Sequence, residues 1–435
     1  MRATALKIAG FAIAFRLFSA LLALLVNVVF PDYRPEQFTV FGSPSPFWDA
    51  FARHDSGWYY QIARYGYAEG AGAYVPGGRS GIGFFPAYPL LMRYVGRAIG
   101  RTQADLYFGA LVISWAAFVA AMIGVYALAR LDLTPKRAER AVLLAAIFPF
   151  AFFFGAVYSE ALFLAAVVGA FYFFRTKRWL LGGLCGALAT ATRVNGILIW
   201  PALAWIVWRQ LTVDSDVGST GPDLRNDAGS SQPPPRRRRS AEASAKAEGP
   251  GLRDDVAAAG DVARSTNRLR AMAGLALVPL GIGAYSFYIF RLTGDPLEWA
   301  ATIERWGYHP GGSPVSVFWG LGQALVLHPY AFLAGERLAP YDSLNGIAAF
   351  LALVAVPFVW VRLGAAYGLF MAANLWLPLS TGQVEGMGRY VAVMFPLFIW
   401  LATVGSRRSF TIVAVVFAML YTLCLALFTN IHPLF

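Results

Sequence analysis

Residues 45–64 read Ser-Pro-Phe-Trp-Asp-Ala-Phe-Ala-Arg-His-Asp-Ser-Gly-Trp-Tyr-Tyr-Gln-Ile-Ala-Arg, which sets two carboxylates in an aromatic segment. The segment predicts a helix, with Ser45 as its N-cap and Pro46 at its first position. On a helical period Trp48, Phe51, Trp58, Tyr59 and Ile62 form one stripe, and Asp55 falls within it. Asp49 and Arg53 fall off the stripe, four residues apart, where they can form a partly solvated ion pair. Asp55 lacks that explanation. A carboxylate within an aromatic stripe is costly unless something cationic, polar or catalytic meets it. Its chemistry would be proton abstraction, because a positioned carboxylate can take the proton of a hydroxyl as that hydroxyl attacks. The alternatives for Asp55 are a helix cap and a structural ion pair with an outer-face arginine.

Other candidates lie farther along the chain. Arg193 and Arg389 fall at the ends of apolar runs, where a guanidinium can stabilise a leaving phosphate or simply anchor the interface. Glu160 opens an apolar run, so helix capping and substrate contact both remain open for it. Asn195 can bind a sugar hydroxyl or end a short helix. Trp306, with Tyr308 and His309 beside it, can wall an acceptor pocket, and Glu385 is a possible second acid. His54, Tyr59 and Arg64, next to Tyr65-Gly66-Tyr67 and Phe84-Phe85-Pro86-Ala87-Tyr88-Pro89, can form a sugar or lipid platform, or belong to an ordinary interfacial aromatic belt. No motif demands a metal, although an acid site leaves room for a divalent ion. Cys185 and Cys424 both sit inside apolar runs, with no metal-ligand spacing around them.

The elements that hold these residues are set by lipid. The 435-residue chain is 58% hydrophobic and 14% charged, well short of the roughly 25% charge usual in soluble domains. Residues 5–30, 107–129, 271–291 and 410–430 are long enough to cross a bilayer. Shorter runs at 141–157, 159–174, 179–192, 196–209, 346–361, 365–380 and 390–404 bring the expected count to about eleven spans. With few strand signals, the expectation is an all-α polytopic bundle. Residues 84–99, which carry Arg93 and Arg97, and 314–333 are read as interfacial or re-entrant segments.

The net charge of +12 points to topology and anionic lipid rather than nucleic acid, because cations cluster at the ends of apolar runs. Arg2, Lys7, Lys136, Arg137, Arg140, Arg175, Lys177, Arg178, Arg407 and Arg408 then share the cytoplasmic side of a multi-pass plasma-membrane protein. The N-terminal run is read as a retained anchor with a cytoplasmic N-terminus. Outer loops follow at 31–104 and 292–342. Residues 211–268 differ in kind. They include Pro233–Pro235 and Arg236–Arg239, with nine basic and nine acidic residues. This composition predicts a disordered cytoplasmic linker between membrane halves 1–210 and 269–435.

Several clusters resemble the PIG-V family, which contains the GPI mannosyltransferase II enzymes and bacterial relatives. They are Arg53-His54-Asp55-Ser56-Gly57-Trp58-Tyr59, Ile62-Ala63, Gly66-Tyr67, Phe84-Phe85-Pro86-Ala87-Tyr88-Pro89, Tyr158-Ser159-Glu160, Arg178-Trp179-Leu180, Ala189-Thr190-Ala191-Thr192-Arg193-Val194-Asn195-Gly196, and Gly388-Arg389-Tyr390 with Phe395-Pro396-Leu397-Phe398. His54 departs from the pattern, which more often has tryptophan there. The resemblance implies a GT-C-like bundle with amphipathic helices in a large first outer loop. It also implies an inverting transferase that takes a sugar, mannose by analogy, from a polyprenyl-phosphate donor, with Asp55 as the acid of that loop. The partners implied are membrane lipid, the lipid-linked donor and a glycolipid or glycan acceptor. The sequence identifies no partner subunit. A lipid or glycolipid transporter is the alternative, although a transporter would more often show an internal repeat and charge near the midplane.

Overall fold

The computed structural model describes residues 2–33, 45–219, 265–309, 311–330 and 340–434, and among the described residues every regular element is helical. In chain order come α1 (Arg2–Val29), a 3₁₀ turn at Trp48–Ala50, α2 (Ser56–Tyr65), α3 (Ala87–Ile99), α4 (Gln103–Ala129) and α5 (Pro135–Ile147). A 3₁₀ stretch Ala151–Gly155, α6 (Glu160–Arg175), α7 (Trp179–Thr192), a 3₁₀ stretch Val194–Ile199 and α8 (Trp200–Ser219) complete the first part. Helices Leu280–Thr293, Glu298–Arg305, Pro314–Leu327, Pro340–Leu363, Ala365–Leu379, Met387–Ala392, Phe395–Leu401 and Arg407–Thr429 form the second.

Five helices are long and apolar enough to cross a membrane, or six if Ser265–Leu277 and Leu280–Thr293, bent by 41°, count as one span. The chain is therefore an all-helical polytopic membrane protein. Each of the eleven apolar runs contains helix, but three are broken: 271–291 at the 41° bend just described, and two others. The run 141–157 divides between α5 and Ala151–Gly155, because Phe148 precedes Pro149 and is extended (φ −56°, ψ 140°). The run 390–404 divides at Met394, just before the Pro-led helix Phe395–Leu401. These last two segments are buried in protein, with Phe150, Phe152, Phe153, Phe154, Met394 and Phe395 all at most 2% exposed. Irregular backbone is tolerated there because protein groups satisfy it: the Trp115 indole donates to Gly155 O, and at the second break Met394 N donates to Val391 O.

The linker reading falls largely on 220–264, outside the described residues. Its two described edges are helical, since α8 runs to Ser219 and the next helix starts at Ser265. Segment 84–99 contains the amphipathic helix α3, shorter than a span, which packs on α2 and α4. Segment 314–333 contains the 14-residue apolar helix Pro314–Leu327.

α4 starts at a reciprocal capping box, with Thr102 accepting from Asp105 N and Asp105 accepting from Thr102 N. Its 27 residues carry the chain about 40 Å from one end of the bundle to the other. The far end gathers cations. Lys7 pairs with Glu139 at 3.1 Å, Arg175 forks onto Asp132 and reaches the Tyr367 hydroxyl at 2.9 Å, and Arg140 covers the Phe410 ring. The near end carries the loop after α1, the connectors before α6 and after α7, and the segment before Met387.

Two buried arginines tie the bundle together. In α1, Arg16 is 1% exposed; it donates to Ala151 O and the Tyr421 hydroxyl and lies 4.2 Å from the Phe118 ring centroid. Arg53 donates to Thr429 O, Asn27 Oδ1 and Asp32 Oδ1 at 3.0–3.1 Å and pairs with Asp49 at 3.5 Å. It thus joins the first loop to the C-terminal ends of α1 and of Arg407–Thr429. The Asp49–Arg53 pair expected from the spacing is present, but it is buried rather than partly solvated, with Asp49 2% exposed.

Candidate active site

The single helix expected over 45–64 is two short elements separated by a turn, and the aromatic stripe is not one continuous face. Trp48–Ala50 is 3₁₀, and α2 begins only at Ser56. Between them His54 takes the left-handed region at φ 49°, where a polar residue is better tolerated than most. The turn is held from the connector before α6. Val157 N donates to Phe51 O, Ser56 Oγ donates to Val157 O, and the Tyr158 hydroxyl donates to Arg53 O while accepting from Asp55 N.

This turn places Asp55 at the N-cap of α2, where an aspartate ordinarily accepts a backbone N–H of the first turn. Asp55 makes no such cap. Its Oδ2 instead meets Arg389 Nη1 at 2.5 Å, and the Asp55 side chain keeps 22% exposure. Of the two alternatives open in the sequence, the cap is excluded and the ion pair is present.

Arg389 follows Gly388, whose position admits no side chain, since a Cβ there would lie 2.2 Å from the Phe150 ring. The guanidinium lies over Phe153 and Tyr158, at 5.4 and 5.6 Å from their centroids. Its Nε is 3.7 Å from Glu160 Oε1, and the same oxygen pairs with Arg193 Nη1 at 2.5 Å. Glu160 is fully buried at the start of α6, and its Oε2 has no hydrogen-bond partner. Arg193 lies 5.3 Å from the Tyr390 ring centroid. Two acids and two arginines from four separated segments thus form one charge-balanced chain, Asp55–Arg389–Glu160–Arg193. Neither arginine is the isolated interface anchor that the sequence left open.

An aromatic wall adjoins this chain one turn along α2. Trp58 meets Trp306 edge-on at 4.9 Å and stacks on Phe84 at 5.8 Å. Arg79 lies 5.5 Å from the Trp306 ring centroid. Tyr59 links wall and acids: its ring packs edge-on against Phe84, and its hydroxyl shares a 3.0 Å hydrogen bond with Ser159, the residue before Glu160. Burial pushes the Tyr59 phenol well above its ordinary range, so it stays protonated. Just after the helix Glu298–Arg305, Tyr308 lies within electrostatic reach of Glu385, Arg389, Tyr390 and Asp55.

The remaining candidates lie apart. Burial lowers the His54 pKa to about 4, so its ring is neutral near pH 7, and it packs 5.7 Å from Phe428 rather than in the aromatic wall. Asn195 is 1% exposed and donates to Asn374 Oδ1 at 2.9 Å, inside the bundle. Arg64 stands at the opposite end of α2 from Asp55 and donates to Arg101 O. Tyr158 and Tyr390 were not singled out from the sequence, although both belong to clusters that carry the family resemblance. Among the described residues no group of three or more His, Cys, Asp or Glu is placed to hold a metal ion.

No family model matches the sequence, and no curated protein does. Solved structures of an oligosaccharyltransferase from Archaeoglobus fulgidus are similar to it. The apo form aligns over 98% of this chain and 56% of that one, with 14% identity and a TM-score of 0.45. The complex with an inhibitory peptide and a dolichol-phosphate aligns over 98% and 56%, with 14% identity and a TM-score of 0.40. The chain spans a little over half the length of these proteins.

Proposed function

We propose that this chain is an integral membrane glycosyltransferase of the GT-C type. It moves a sugar from a polyprenyl-phosphate donor to a lipid, glycan or protein acceptor, with Asp55 as the base. The observation that carries the reading is an aspartate in a capping position that does not cap, and whose carboxylate is instead paired with an arginine at a partly exposed site. Mannose is the sugar that the motif resemblance implies. The positive-inside rule puts the Asp55 end of the bundle outside the cytoplasm, because the cations gather at the other end.

Asp55 takes the proton of the acceptor hydroxyl as its oxygen bonds to the anomeric carbon. The bond from that carbon to the phosphate oxygen breaks on the opposite face, and polyprenyl phosphate leaves. One carboxylate suffices for a single inverting displacement. The leaving phosphate needs charge stabilisation rather than a proton, and the arginines can supply it. Because the resting site is charge-balanced, an arriving phosphate competes with Asp55 for Arg389. Moving Arg389 toward the phosphate frees the carboxylate, so base and electrophile are armed only when donor is bound. Glu160 holds Arg193 and the other edge of Arg389, and its unpaired Oε2 is an acceptor for a ligand hydroxyl. Trp58, Phe84 and Trp306 offer apolar faces for a sugar ring beside these charges.

The test is to incubate purified protein with radiolabelled polyprenyl-phosphate sugars and a membrane lipid extract, then identify the labelled product. Transfer is expected from one donor, together with a loss of about 10²–10⁴-fold in Asp55→Asn. Folded protein that transfers no sugar, or an Asp55→Asn variant as active as wild type, defeats the reading. The alternative, a lipid or glycolipid transporter, predicts label that crosses a vesicle membrane without changing its chemical form.

A further inference from the structure

A second cationic site lies at the same end of the bundle, outside the Asp55 cluster. Arg64 at the end of α2, Arg97 in the last turn of α3 and Arg101 in the α3–α4 connection converge with Leu106 on an open cavity of about 330 Å³. All three arginines are exposed, and among the described residues none pairs with a carboxylate. The nearest acid along the chain, Asp105, is occupied by its own cap, accepting from Thr102 N at 2.8 Å and Thr102 Oγ1 at 2.6 Å. Arg64 donates to Arg101 O, which holds two of the arginines together despite their like charge. Arg93 fixes α3 against α2 by donating to Ala63 O and Ile62 O. This leaves three unneutralised guanidinium groups at the end of the bundle opposite its main cation cluster, where the positive-inside bias gives no reason for them.

The surroundings are those of a lipid headgroup. α3 is amphipathic and presents exposed Leu90, Tyr94 and Ile99, with exposed Tyr65 next to Arg64. An interfacial helix with an apolar face and arginines beside it suits a lipid whose chains lie along the former and whose phosphate meets the latter. Guanidinium forks match phosphate oxygens bidentately.

We propose that Arg64, Arg97 and Arg101 form a docking groove for the phosphodiester of an anionic glycerophospholipid. Geometry separates this from the donor's own phosphate. Arg64 is nine residues beyond Asp55, about 14 Å along α2. The donor phosphate is bonded to the carbon under attack, so in the reactive pose it lies within a few ångström of the oxygen that the base touches. The groove therefore serves another lipid. The inference rests on the bundle's place in a membrane and stands or falls separately from the transferase reading.

The experiment uses full-length protein in nanodiscs of phosphatidylcholine with 20% phosphatidylglycerol, followed by release into detergent and native mass spectrometry. Wild type is expected to retain phosphatidylglycerol over phosphatidylcholine at least tenfold beyond the input ratio. Arg97→Gln/Arg101→Gln is expected to lose that excess at unchanged melting temperature. If that pair fails to fold, Arg97→Lys/Arg101→Lys keeps the charge but not the fork and is expected to retain an intermediate excess. Equal phosphatidylglycerol retention in wild type and variants overturns the proposal. So does a groove that retains added polyprenyl monophosphate while excess phosphatidylglycerol fails to displace it.

Discussion

Asp55 Oδ2 and Arg389 Nη1 meet at 2.5 Å although 334 residues separate them in the chain. The contact joins the N-cap of α2 to the short helix Met387–Ala392, and it satisfies a carboxylate that declines to cap its own helix. An ion pair of this kind can be structural or can hold a base in reserve. The two readings predict different kinetics.

If Arg389 transfers its attention to the donor phosphate, Arg389→Gln raises the donor KM and lowers kcat, with kcat/KM falling about 10²–10³-fold. Arg389→Lys recovers part of this, because a point charge replaces the fork. Steady-state kinetics with donor varied at saturating acceptor check it. A variant that only loses stability, with kcat and KM intact, marks the pair as structural.

Arg53 is surrounded by Asp32, Asp49, Asn27 and Thr429 O, so removing it leaves buried acceptors and a buried carboxylate without a cation. Arg53→Met is expected to destabilise the protein by about 3–5 kcal/mol, as for a broken buried pair. Asp49→Asn should also lower stability, since Asp49 is buried in this cluster rather than on a wet helix face. Detergent-solubilised melting temperatures read both.

Arg16 is the opposite case. Among the described residues no carboxylate pairs with it, and its partners are a carbonyl, a hydroxyl and aromatic rings. Removing an uncompensated buried charge relieves its desolvation cost, which offsets the loss of the hydrogen bonds to Ala151 O and the Tyr421 hydroxyl. Arg16→Met is therefore expected to match or exceed wild type in melting temperature. A large loss would mean that the guanidinium holds the broken segment after α5 in place.

His54 sets an acid limit. Burial lowers its folded pKa to about 4, below the value near 6.5 of an unfolded histidine. The unfolded chain then binds more protons between these values, so stability rises with pH across that window and is lost as pH falls from about 6.5 to 4. The melting temperature of wild type should drop over this range. His54→Gln should flatten the drop, and an unchanged slope would assign the acid limb to other groups.

Much of the architecture was legible because its causes are local. Long apolar runs must become helices in lipid, so the runs at 5–30, 107–129 and 410–430 were read correctly from composition alone. The breaks near Pro149 and Pro396 were signalled by proline. They were merged into spans because hydropathy alone does not register a turn whose backbone is satisfied by neighbouring helices. The same limit applied to 45–64, where a helical period described the residues but a left-handed His54, supported by contacts from Tyr158 and Val157, turned the chain.

The sequence by itself determined a helical membrane bundle, an acid in its first loop, and arginines at the ends of spans. Only the tertiary structure decided which charges meet: Asp55 with Arg389, Glu160 between two arginines, Arg53 in a buried cluster, and Arg64 away from all of them beside Arg97 and Arg101. The reason is physical. Helix formation and lipid burial depend on residues within a few turns of one another, whereas the partner of a desolvated charge is set by how distant helices pack.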